Sequence, residues 1–185
     1  MTRWLLPLFL VLSACSSASS PTSAPTLEQR LDRLATCHPT DLMVLAPWIG
    51  PGFDETTGAL LEPLPAGHIE VVAQGWRRRD AEATKLRTEQ GAIVLQDALE
   101  RPGLIGFESV ESDVCDISIS HTLWKDQASM MAFVTGPKHA NAMANAPKMH
   151  YAFAGAHWSG AMRTTPPTWE EGIQRFIAEK RAALK

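Results

Sequence analysis

Six histidines are the residues through which this chain could do acid–base chemistry, and three of them sit on segments of regular periodicity. An imidazole titrates near 6.5, so a positioned histidine can take or give a proton at neutral pH. His121 lies in the run Cys115 to Trp124, where alternation sets it on one face with Ile117, Ile119 and Leu123. There it is either a neutral base facing a cavity or a satisfied core histidine. His139 precedes Met143 by four residues, so the two share a helix face. Both types can ligate haem, but stacked on one face they cannot take opposite sides of one ring system. On the run His150 to Ser159, alternation groups Tyr151, Phe153 and His157, an aromatic set that would line a cavity for a small apolar or aromatic molecule. No grouping of His, Cys, Asp and Glu has metal-ligand spacing, so no dedicated metal site and no cofactor is expected.

Three cysteines complete the chemically interesting set. Arg3, the apolar run Trp4 to Leu12 and the tetrapeptide Leu12-Ser13-Ala14-Cys15 form a charged start, an apolar core and a small-residue end. That is the pattern of a secretory signal, too short to span a bilayer as a mature helix. The tetrapeptide resembles the lipobox of bacterial lipoproteins. The resemblance implies lipidation of Cys15, and Ser16 after it implies sorting to the outer membrane, facing the periplasm or the cell surface. Residues 16–26, rich in Ser, Ala, Pro and Thr, read as a flexible tether. Cys37 and Cys115 are then the remaining thiols; in an oxidising compartment they form a bridge or stay as two separate buried thiols, and sequence leaves both open.

The elements that must position these side chains follow from periodicity. Leu27, Leu31 and Leu34 mark a helix, and Leu42 to Ile49 reads as a strand closed by Gly50-Pro51-Gly52. Residues 27–65 form an N-terminal extension ahead of a domain over 66–185. Within that domain come a strand from Ile69 to Trp76, a helix from Ala81 to Glu100 capped by Asp80, and strands Leu104 to Val110 and Cys115 to Trp124. Two helical segments follow, Lys125 to Val134 and Lys138 to Ala146, the latter closed by Pro147. The strand His150 to Ser159 and a helix opened by the Thr168–Glu171 capping box end the chain. From Ile69 the order is βαββαβ, the ferredoxin-like α+β pattern with helices on one face of an antiparallel sheet. The other face needs a cover, and a second copy closing a dimeric barrel is one solution. With 45% hydrophobic residues the chain can bury a core, and its net charge of −3 gives no case for nucleic acid.

Residues Ile117 to Met143, reading ISISHTLWKDQASMMAFVTGPKHANAM, resemble the antibiotic-biosynthesis-monooxygenase-like superfamily of dimeric α+β barrels. The matching parts are a strand ending in Trp124, the turn Lys125-Asp126, a helix carrying Ala132-Phe133, and a helix bearing His139 after Gly136-Pro137. The resemblance implies a homodimer and a cofactor-independent monooxygenase acting on a small aromatic or quinol-like compound. His139, His121 or His157 would be its base, and Trp124, Phe133 and Met143 would join Tyr151 and Phe153 around the substrate. The haem-degrading branch carries its axial histidine one helical turn beyond the position of His139, where this chain has Met143. Haem binding is therefore a third reading, beside a lipoprotein that binds a ligand without chemistry.

Overall fold

A computed structural model describes residues 25–184; the signal, Cys15 and most of the tether lie outside the described residues. Helix α1 (Leu27–Ala35) opens on a capping box in which Thr26 and Gln29 satisfy each other's backbone N–H groups, and it buries Leu31 and Leu34. A single 3₁₀ turn (Pro39–Asp41) leads into β1 (Met43–Ile49). The ferredoxin-like order follows: β2 (Ile69–Arg77), α2 (Ala81–Leu99), β3 (Leu104–Ser112), β4 (Ile117–Trp124), α3 (Gln127–Val134), α4 (Pro137–Met149) and β5 (His150–Ser159). Helix α5 (Trp169–Ala182) closes the chain on the Thr168–Glu171 capping box.

The five strands form one antiparallel sheet in the order β1-β3-β4-β2-β5. The extension thus adds an edge strand, β1, to the four-stranded ferredoxin-like core. Helices α2, α3 and α4 cover one face, where Ile69, Leu104, Phe107 and Trp124 meet Ala98, Met130 and Phe133. The opposite face is also covered. Val72, Trp76, Ile117 and Ile119 pack against Leu31 and Leu34 of α1 and Ile173, Phe176 and Ile177 of α5. The cover that a second copy was expected to provide therefore comes from the chain's own two ends. Closing a barrel across this face would require α1 and α5 to leave it.

Two local departures from the sequence reading have clear causes. Pro147 does not end α4, which runs on to Met149, because proline forfeits only one bond in the last turn and its carbonyl gains a donor in Arg78 Nε at 2.9 Å. Cys115 lies in the β3–β4 turn rather than on the strand, with Asp116 in the left-handed region at φ 60°. That turn brings Cys115 to Cys37, and the two are disulfide-bonded with Cα atoms 5.9 Å apart.

The bridge closes a loop across a sequence separation of 78, for which chain entropy gives about 4 kcal/mol. We expect the Cys37→Ala, Cys115→Ala double variant to lower the urea-unfolding free energy by about that amount. An unchanged urea midpoint would show that α1 is held by packing alone.

Candidate functional site

Alternation on β2 sends Glu70, Val72, Gln74 and Trp76 to the face under α5, so the pattern that builds the core also delivers a carboxylate into it. Pairing then does the rest. Glu108 on β3 lies directly across from His121 on β4, and Glu70 sits two pairs along from the His121–Val72 pair, on the same face. The result is a buried row. His68 Nε2 is 3.1 Å from Glu70 Oε1, Glu70 Oε2 is 3.6 Å from His121 Nε2, and His121 Nδ1 is 3.3 Å from Glu108 Oε1. His68 Nδ1 ends the row 2.7 Å from the Pro65 carbonyl. Both histidines are 0% exposed.

The row is sealed. Trp48, Trp169 and Trp158 surround the His121 ring at centroid distances of 5.1, 6.1 and 6.5 Å. Gly172 of α5 lies against the same ring, and a Cβ there would stand 3.1 Å from His121 Cε1, tighter than ordinary contact. Arg163 ties the loop between β5 and α5 down through the carbonyls of Thr165 and Pro166 and the Glu171 carboxylate. Burial works against charge on every group here, and the neighbours decide the outcome. Burial alone would raise Glu70, but the nearby His121 ring and the hydrogen bond from His68 overrule it and hold the carboxyl at about 2. Burial would likewise lower His121, and its two glutamate partners raise it above 6.5 instead. His68 is raised in the same way by Glu70. Glu108, with only His121 to help it, is pushed up by burial. The row is buried away from solvent.

The other sheet face is different. Ala73 lies on β2, an interior strand, yet it is exposed, and Gly155, Phe153 and His157 beside it on β5 are exposed too. Small side chains floor this opening: Ala73, Gly155 and the half-buried Ser120. At one end His150 fills the space over Gly75 and meets Ser118 Oγ at 3.1 Å; burial, aided by Arg87, drops its pKa to about 4, so it is neutral. At the other end Trp124, Phe133 and His139 form a ladder, with centroids 5.1 and 4.9 Å apart. Burial lowers the His139 pKa, and its Nδ1 has no hydrogen-bond partner.

The structure therefore separates the three candidate histidines. His121 is locked in the sealed row, while His139 and His157 lie on the helix side at the same end of the sheet. That end is fixed by register, since Trp124 pairs with Ile69 and Ile69 with Ser159. Tyr151 does not join Phe153 and His157. A register shift between Trp76 and Arg77 accompanies its placement against the α1–α5 core. Trp124 and Phe133 are core residues, and Met143 is 37% exposed on α4. Glu70, Glu108 and His68 escaped the sequence reading; the available signal was two glutamates at core-facing strand positions beside valine.

The row makes stability depend on pH with a defined sign. Raised histidines stabilise the fold fully below 6.5, and that contribution is lost as pH rises through their folded values. The depressed Glu70 stabilises above 4.5 and loses its contribution as pH falls towards about 2. The raised Glu108 adds to the loss on the alkaline side. We expect a urea-midpoint maximum between roughly pH 4.5 and 6.5, and His121→Leu should be destabilised and flattened on the alkaline limb. An alkaline limb identical in the variant would show that His121 is not the group responsible.

No protein-family profile matches the sequence, and no curated protein matches it. Solved structures do match. A putative antibiotic biosynthesis monooxygenase from Nitrosomonas europaea is 10% identical, covers 51% of this chain and 91% of its own, and has a TM-score of 0.46. A cofactor-independent oxygenase from Streptomyces nogalater is 13% identical over 56% of this chain and all of its own (100%), with a TM-score of 0.43. A conserved protein from Methanosarcina mazei Go1 is 14% identical over 51% and 93%, with a TM-score of 0.46. The solved structures similar to this chain thus include proteins described as antibiotic biosynthesis monooxygenases.

Proposed function

We propose that this chain is a monooxygenase-like domain that takes a small aromatic or quinol-like compound on the helix side of its sheet. The observation that carries this reading is the exposure of Ala73 on an interior strand, which marks an opening over the middle of the sheet. Its small-residue floor leaves room for a flat ring, and Phe153 offers an apolar contact. His139 is the base: neutral, half-buried and on the helix side. It would remove a proton from the bound compound, and the resulting carbanion would react with dioxygen. His157 stands at the same end as a polar contact. Haem has no part in this reading, because Met143 occupies the position of the axial histidine.

A specific observation favours a second reading, ligand binding without chemistry. Asp97, the carboxylate whose charge acts on His139, is engaged by Arg101 at 3.1 Å and Lys138 at 3.7 Å, so it is not free to orient the imidazole. Oxygen uptake with a panel of quinols separates the two. Uptake that falls by about 10²-fold or more in His139→Ala supports the enzyme. Saturable binding with no uptake supports the binder, and neither signal contradicts both.

We further propose that the domain is held to the cell envelope by a lipid on Cys15. Cells fed an alkyne fatty acid should label the wild type and not Cys15→Ala. Label retained in the variant would contradict the anchor.

A further inference from the structure

The disulfide has a third neighbour that neither the fold nor the proposed function uses. The Asp41 carboxylate lies with the sulfurs of Cys37 and Cys115 so that one oxygen and both sulfurs fall within 4.8 Å of one another. Asp41 closes the 3₁₀ turn that follows Cys37, and its Oδ2 accepts from the His38 backbone N–H at 3.2 Å, which fixes the carboxylate. It is half-buried, and among the described residues no cation pairs with it. A pocket of about 300 Å³ between α1 and α5 reaches Cys37, with Leu34, Leu42 and Ile173 among its walls.

We infer that, once the disulfide is reduced, Cys37, Cys115 and Asp41 form a three-ligand site for a thiophilic divalent cation of the zinc class. The geometry is right for it. In a tetrahedral site with metal–sulfur bonds of about 2.3 Å the two sulfurs stand about 3.8 Å apart. Cα atoms held at 5.9 Å need only side-chain rotation to reach that spacing. Their backbones have reason to stay, since Leu31 and Leu34 anchor α1 in the core and Cys115 is itself buried. The balance is simple: a dithiol reductant gives two electrons and two protons to the bridge and becomes a disulfide itself, leaving two thiols on the chain. Each thiol then loses its proton as the cation binds, and no other bond changes. The site is closed while the bridge is intact and opens with reduction.

Cobalt(II) is the probe, because thiolate ligation gives it a sulfur-to-metal charge-transfer band in the near ultraviolet. The full chain carrying Cys15→Ser, which removes the unrelated thiol, is reduced with a water-soluble phosphine and titrated with cobalt, then with zinc. The expected result is a band saturating at one cobalt per chain, displaced by zinc and absent from the oxidised protein. Asp41→Asn leaves both cysteines and the bridge in place; it should weaken cobalt binding at least tenfold while leaving the oxidised protein's unfolding midpoint near that of the parent. A reduced chain that develops no band, whether folded or unfolded by circular dichroism, overturns the inference. So does a band whose affinity is the same in Asp41→Asn.

Discussion

The contact on which most of this structure depends is the one between Glu70, His121 and Glu108, three ionisable side chains from three adjacent strands in the core. Buried charge is tolerated only when it is paired, and removing one partner costs far more than the pair contributes. The row therefore fixes the register of β2, β3 and β4 relative to one another. A slip of one residue on any of them would turn a charge to the other face. It also dictates the cover. A carboxylate row left at a water-filled interface would need no tryptophans around it, whereas here three indoles and the bare backbone of Gly172 exclude solvent.

From that constraint the division of the sheet follows. One face is closed by α1 and α5, with the disulfide and the Arg163–Glu171 pair holding the two ends of the chain in place. What remains reachable is the helix side, where α2 and α4 pack on each other and leave the centre of the sheet floored by small residues. The buried ionisable row and the exposed centre of the sheet thus lie on opposite faces of a single sheet. The base proposed above is His139 rather than His121 for this reason. A buried imidazole between two carboxylates, out of reach of solvent, serves the fold.

Much of the fold was legible in the sequence because its signals are local. The capping residues Asp80 and Thr168 start two of the helices, and alternation marks the strands. The order βαββαβ then follows from element sequence. The site was far less legible. Glu70 and Glu108 are 38 residues apart, and only strand order and register bring them to one histidine. Tyr151 was grouped with Phe153 by strict alternation, which a register shift at the end of β2 breaks. Nor could periodicity show that α1 and α5 would occupy the second face, since an amphipathic helix declares that it needs a partner and not which one.

The most direct test of the division between faces is histidine hydrogen–deuterium exchange at the imidazole C2 position, followed by mass spectrometry on the folded protein. The rate reports access at each ring separately. We expect ready exchange at the exposed His157 and near-complete protection at His68 and His121, with protection lost when the protein is unfolded in urea. Exchange at His121 in the folded state as fast as at His157 would contradict it, since the row would then be open to solvent and the sealed face would have to be read as a site.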